Sequence, residues 1–326
     1  MTKIAINGFG RIGRLFFRQM ADEKTAQVVA INDLGSPENL EYLLKYDTVY
    51  GRFDGKLPLH MLQEKDPSKL PWKKLGVDIV VEATGVFESY EEAKMHLRAG
   101  AKRVVISAPA KDADGADGKT ILMGVNEGEM ASCKITSNGS CTTNSVAAVM
   151  QILHEEIGVL KALLNTTHGY TATQSLVDSP TRGKDLRRGR AAAQNIVPSS
   201  TGAAVSVTRA VKDLANKFDG ISLRVPVVAG SIADVTLLAA RKTTAKEVND
   251  ILTKAASSKR WKDVLAVTTD PVVSSDIVGQ PYGAIVDLEM TRVVDGDLVK
   301  VLSWYDNEWG YVATLVKHVL AAAKSL

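Results

Sequence analysis

Residues 1–107 alternate short apolar runs with helix-like segments, and this order constrains the fold more than any other feature. KIAIN (3–7) reads as a buried strand, and GFGRIGRLFFRQMA then turns into a helix. VVAIND (28–33) is a second strand, PENLEYLLKY (37–46) a helix and VDIVVEAT (77–84) a third strand. A helix over SYEEAKMHLRA, stopped by Gly100, precedes the strand RVVIS (103–107). Strands joined through helices pair in parallel, so an α/β, doubly wound, mostly parallel sheet is expected. After about residue 137 the pattern changes. TSNGSCTTNSVAAVMQILHEEIGV reads as one long helix. Longer strand-like runs follow: ALLNTTHGYT, ISLRVPVVAG, ADVTLLAAR, GAIVDLEMTRVVDG and DLVKVLSWYDN. They predict a second, α+β domain with a mainly antiparallel sheet. The last helix, GYVATLVKHVLAAAKS, could return to either domain.

Two domains suit 326 residues, and 45% apolar with 24% charged residues is ordinary for a globular chain. Cys133 and Cys141 cannot make a disulfide framework, and no C-x-x-C pair suggests zinc. A metal site is not expected. Free thiols favour a reducing, cytoplasmic setting. The opening MTKIAINGFG has no charged region leading into a long apolar run, and no stretch is apolar enough to span a bilayer. The net charge of +3 is too small to argue for nucleic acid.

INGFGRIG places Gly8-x-Gly10-x-x-Gly13 between the first strand and its helix. The first glycine permits the tight turn and the second lets a pyrophosphate approach the backbone. The third lets the helix pack close, with its N–H groups facing the phosphates. Asp33 closes the second strand, where a carboxylate meets adenosine ribose hydroxyls. The bland alternative is a glycine-rich turn with Asp33 as a helix cap. All three features together favour nucleotide binding.

In SNGSCTTN, Cys141 stands at the start of a helix whose Val146, Met150, Leu153 and Ile157 share one face. Gly158 fits its stop. Free N–H groups and the helix dipole there favour a thiolate. Cys133, in ASCKIT, fits the ordinary fate of a buried inert thiol. A nucleophilic thiol needs a base. His154 lies 13 residues along the same helix, about 20 Å away. His96 and His318 sit in helices among polar neighbours and are expected to be solvated; His60 falls in a short irregular segment. By elimination His168, at a strand end before Gly-Tyr-Thr, is the best candidate. The basic loop TRGKDLRRGR (181–190), the turn PSSTGAA (198–204) and Arg224 of LRVP supply anion ligands. The combination implies a thiol attacking an aldehyde, hydride leaving to nicotinamide, and phosphate receiving the acyl group.

These residues resemble one family, phosphorylating glyceraldehyde-3-phosphate dehydrogenase. INGFGRIGR, SNGSCTTN, HGYTATQ, RRGRAAAQNIVPSSTGAA, LRVP, VVSSD and SWYDNEWGY carry the resemblance over nearly the whole chain. It implies a Rossmann domain over 1–140, with helix 309–326 packing back on it, and a catalytic and oligomerisation domain over 141–308. It implies NAD as cofactor, glyceraldehyde 3-phosphate and inorganic phosphate as substrates, and a homotetramer. Residue by residue, Cys141 would be the nucleophile and His168 its base. Thr171, Arg188 and Arg224 would hold substrate phosphate. Ser140, Thr142, Thr201 and Gly202 would hold the attacking phosphate. Gly8, Gly10, Arg11, Ile12 and Gly13 would meet the cofactor pyrophosphate, Asp33 the ribose, and Lys65 the adenine side. Ser107, Asn307 and Tyr311 would lie on the nicotinamide side. Ser145 replaces the family's second cysteine, Gly139 and Gly169 replace alanines in loops expected to be looser, and GRFDGKLPLHMLQEKDP is shorter than usual.

Erythrose-4-phosphate dehydrogenase is the nearest alternative; STGAA and Thr171 favour the phosphorylating enzyme. Aspartate-semialdehyde dehydrogenase shares the thiol logic but not SWYDNEWGY. A non-catalytic, nucleotide-binding regulatory or RNA-associated protein is the alternative of another class, and the Cys141–His168 pair argues against it.

Overall fold

The computed structural model describes residues 1–58, 60–181 and 183–326. Leu59 of the short segment and Arg182 of the basic loop lie outside the described residues. The chain divides into two compact units, Met1–Ser140 with Val312–Leu326, and Cys141–Tyr311.

The first unit is built on a seven-stranded sheet. Its order runs His60–Leu62, Ala26–Asn32, Thr2–Asn7, Ile79–Glu82, Arg103–Ile106, Ile135–Ser137 and Lys119–Thr120. Every pairing is parallel. Ile4, Ala5 and Ile6 are wholly buried in succession, as are Ile79, Val80 and Val81. Such runs mark a sheet covered on both faces, which is why these strands read as continuous apolar stretches rather than alternating ones. Trp72 and Val77 pack against Ala5, Ala30 and Val80, whereas Tyr90 and Ala93 pack against Val104, Ile106 and Ile135.

The second unit has a mixed, mostly antiparallel sheet of seven strands. Val159–Gly169 pairs parallel to Phe218–Val225 and antiparallel to the central strand, Ser231–Ala239. Leu298–Tyr305 and Ala284–Val294 continue it antiparallel. Helix Cys141–Ile157 is buried along most of its length. Gly158 ends it at φ +68°, a left-handed value that glycine takes without strain.

Several expectations are corrected. His96 and His318 are fully buried rather than solvated, because partners from distant segments enclose them. His60 belongs to a short strand, not to irregular chain. PSSTGAA contributes the edge strand Val197–Ser200 before its turn. Among the described residues, no helix is long and apolar enough to cross a membrane, and no group of side chains is placed to hold a metal ion.

Candidate active site

In the first unit the loop between Asn7 and Arg11 opens a cleft of about 810 Å³ lined by Gly8, Gly10, Asp33, Leu34, Lys65 and Phe87, among others. Gly10 precedes helix Arg11–Gln19, and no side chain caps the first turn. A Cβ on Gly10 would meet nothing within 4 Å, whereas one on Gly13 would stand 2.1 Å from Gly8 O. The loop is therefore open toward the cleft and closed against the sheet, the arrangement a pyrophosphate needs. Asp33 accepts from Phe9 N at 2.7 Å and from Gly35 N at 2.8 Å, so it fixes the loop as well as facing the cleft. The Arg11 side chain pairs with Asp47 and lies over Tyr50. Ser107, at the end of strand Arg103–Ile106, is tied by its N–H to Glu82 O.

In the second unit Cys141 is the first residue of its helix and half-buried. His168 Nε2 lies 3.3 Å from its Sγ. Burial pushes His168 down to about 3, with the Arg224 guanidinium adding to the effect. Burial pushes the Cys141 thiol up, opposed by Arg224 and the Thr142 N–H. Burial thus disfavours the charged form of each partner. The ring edge of His168 meets buried Tyr305, whose hydroxyl bonds Thr142 Oγ1 at 2.8 Å and Thr166 Oγ1 at 2.7 Å. The Thr142 hydroxyl is therefore engaged inward.

Arg224 Nη1 reaches His168 Nδ1 at 2.7 Å. Arg188 donates to Ser199 Oγ and Thr173 Oγ1, each at 3.0 Å, and Thr173 bonds Thr171 Oγ1 at 2.9 Å. Thr171 and Arg188 thus belong to one hydroxyl–guanidinium chain. Thr201 Oγ1 accepts Ala203 N at the start of helix Ala203–Ala210, whose N-cap is Gly202. Asn307 Oδ1 accepts from Ser231 Oγ at 2.8 Å, and that hydroxyl accepts Gly169 N. Tyr311 is buried, its N–H bonded to Asp306 O. Thr173, Ser231 and Tyr305 escaped the sequence reading, although Thr173 and Tyr305 lie inside HGYTATQ and SWYDNEWGY.

Residues 140–307 match the sequence model described as the C-terminal domain of glyceraldehyde 3-phosphate dehydrogenase. Residues 2–90 match the one described as its NAD binding domain. The chain belongs to the glyceraldehyde-3-phosphate dehydrogenase family. It is 47% identical over 326 residues to the glyceraldehyde-3-phosphate dehydrogenase of Thermotoga maritima, covering 95% of this chain and 96% of that one. The Streptomyces coelicolor enzyme is 45% identical over 330 residues, 96% of each chain. That of Clostridium acetobutylicum is 43% identical over 340 residues, 99% of each.

As a glyceraldehyde-3-phosphate dehydrogenase, the chain takes NAD as its cofactor. The expectation that Gly139 and Gly169 loosen their loops meets a tighter structure. Gly139 sits at φ +63°, and a Cβ on Gly169 would stand 2.9 Å from Val227 O. Gly139 serves a backbone conformation and Gly169 close packing.

Proposed function

We propose that this glyceraldehyde-3-phosphate dehydrogenase oxidises glyceraldehyde 3-phosphate to 1,3-bisphosphoglycerate through a thiohemiacetal and a thioester on Cys141. The 3.3 Å approach of His168 Nε2 to Cys141 Sγ carries this reading. His168 takes the thiol proton as sulfur adds to the aldehyde carbon, and returns it to the developing oxyanion. It then accepts the hydroxyl proton as the thiohemiacetal becomes a thioester. NAD supplies the hydride acceptor for that step. A phosphate oxygen attacks the thioester carbonyl, the C–S bond breaks, and sulfur leaves as the thiolate.

Arg224, Arg188 and Thr171 hold substrate phosphate, supported by the guanidinium–hydroxyl chain around them. Ser140, Thr201 and Gly202 face the attacking phosphate. Thr142 contributes its backbone N–H, since Tyr305 holds its hydroxyl. Gly8, Gly10, Arg11, Ile12 and Gly13 receive the cofactor pyrophosphate, and Asp33 and Lys65 the adenosine. Ser107, Asn307 and Tyr311 serve the nicotinamide end, with Ser231 fixing the Asn307 amide so that its Nδ2 can donate to a carboxamide oxygen.

The reading includes a cytoplasmic homotetramer. Leu163, Ile221 and Leu298 are exposed on one face of the second unit's sheet, apolar surface suited to a second copy. NADH absorbance with the aldehyde, measured with and without inorganic phosphate, tests the reaction. Sustained turnover that ignores phosphate would refute acyl transfer to it. Light scattering that reports a 35.0 kDa particle at micromolar concentration would refute the tetramer.

A further inference from the structure

Beneath the cofactor cleft lies a chain of buried polar groups that the reaction itself does not use. Trp72 Nε1–H donates to His96 Nδ1 at 3.0 Å. That bond leaves the ring proton on Nε2, which meets Glu82 Oε2 at 3.0 Å. Asn7 Nδ2 donates to the same oxygen at 2.6 Å, and the N–H and hydroxyl of Thr84 both donate to Oε1. Asn32 Nδ2 donates to Asn7 Oδ1 at 2.7 Å and to Glu64 O at 2.9 Å, while Glu64 N donates to Asn32 Oδ1 at 2.8 Å. Trp72, His96, Glu82, Asn7 and Asn32 are all buried, and His96 is 0% exposed.

A buried carboxylate ringed by donors is an expensive way to fill a core, and apolar residues of similar volume often stabilise a protein more. The network's location supplies a reason for it. Asn7 ends the first strand one residue before Gly8, Asn32 ends the second one residue before Asp33, and Glu82 ends the strand whose continuation includes Ala83, Thr84 and Phe87. Each of these continuations lines the cleft. Gly8 already sits so close to Thr84 that a Cβ would fall 2.5 Å from its N. Glu82 therefore ties together two neighbouring loops that both line the cleft, and Asn32 ties Lys65 to them through Glu64.

We propose that His96 is a positioning residue for cofactor binding. Acting through Glu82 and Asn7, it fixes the glycine loop against the 83–87 loop, so that both keep the shape with which they line the cleft. Trp72 selects the tautomer that lets His96 donate to Glu82. The proposal rests on the reading of this cleft as the NAD site.

The test uses the full chain, with NAD binding by titration calorimetry, kcat at saturating NAD, and melting temperature. His96→Phe keeps a ring but removes both hydrogen bonds. It should raise the NAD dissociation constant about tenfold, the scale of one hydrogen bond to a charged group. Saturating kcat should stay within about twofold, giving a split between KM and kcat. His96→Gln can accept from Trp72 and donate to Glu82, so it should restore affinity to within about threefold. A His96→Phe protein that melts lower yet binds NAD as before would overturn the proposal and leave His96 a core residue only. If His96→Phe does not fold, Trp72→Phe replaces it: weakened NAD binding is again expected, and unchanged binding overturns the idea. Asp33→Ala separates the two levels. If it leaves NAD affinity intact, the cleft is not the cofactor site; if it weakens NAD while His96→Phe does not, only the positioning role fails.

Discussion

Arg224 Nη1 lies 2.7 Å from Nδ1 of His168, while that nitrogen also lies 2.6 Å from Gly169 O. A neutral imidazole nitrogen donates or accepts, but does not do both. Arg224 Nη1 also reaches Gly169 O at 3.2 Å. In the tautomer with Nδ1–H donating to Gly169 O, Arg224 also donates to that carbonyl and its contact with Nδ1 is not a hydrogen bond. Nε2 then presents its lone pair to the Cys141 thiol, as a base must.

Arg224 also acts through its charge, lowering the pKa of both partners. Arg224→Gln should therefore raise both. The His168 titration, followed by NMR of labelled histidine, should move upward from about 3. Alkylation of Cys141 at pH 7 should slow, because less thiolate is present. Alkylation at the unmutated rate, with an unmoved histidine titration, would remove Arg224 from the electrostatics of the pair.

Cys141→Ser should abolish turnover while NAD still binds, since a hydroxyl beside His168 is far less ionised than a thiol. Iodoacetamide inactivation of the unmutated enzyme should track labelling at Cys141. Cys133 is buried, its Sγ donating to Ile135 O, and should label slowly. Inactivation that followed Cys133 instead would displace the nucleophile.

His168→Asn removes the proton acceptor at 3.3 Å. Turnover should fall by about two to four orders of magnitude, the scale of general acid–base help. Alkylation of Cys141 should slow near neutrality and recover in alkali, where hydroxide ionises the thiol directly. An alkylation profile unchanged from pH 5 to 9 would point to another base.

His318 is wholly buried and held neutral, its pKa pushed to about 3 by burial. The unfolded chain binds a proton there near pH 6.5 and the folded chain does not. This contribution to stability is present above pH 6.5 and is lost as pH falls toward 3. At pH 4.5 the loss from this one residue is about 3 kcal/mol by linkage. Urea midpoints at pH 7 and 4.5 should therefore differ less in His318→Gln than in the unmutated protein. An equal acid shift in both would mean that His318 is protonated in the fold.

Asp33 faces the cleft with a carboxylate, which suits two ribose hydroxyls and repels a ribose phosphate. NAD should be preferred over NADP by at least about a hundredfold, within the range of one charged contact. Asp33→Ala should narrow the gap mainly by weakening NAD, the more so because Asp33 also holds Phe9 N. Equal rates with both cofactors in the unmutated enzyme would show that the carboxylate does not meet the ribose.

What the sequence made legible was local. The glycine loop, the helix behind Cys141 and the alternation of strands and helices depend on spacing within a few residues. The misreadings concern partners brought in from afar. His96 has polar neighbours along the chain, but Trp72 and Glu82 meet it from 24 and 14 residues away. His318 bonds Thr136 and Asn138 across 182 and 180 residues. The inward turn of Thr142 depends on Tyr305, 163 residues on. Helical periodicity marks a face, and it cannot show which polar groups the fold will bring to that face.

The paired bonds between the Asn32 amide and the Glu64 backbone anchor the chain just before Lys65. A stretch pinned at its far end can lengthen or shrink on the near side without shifting Lys65. An insertion at 54–57 should therefore leave NAD affinity unaltered, whereas losing the Asn32 clasp should not.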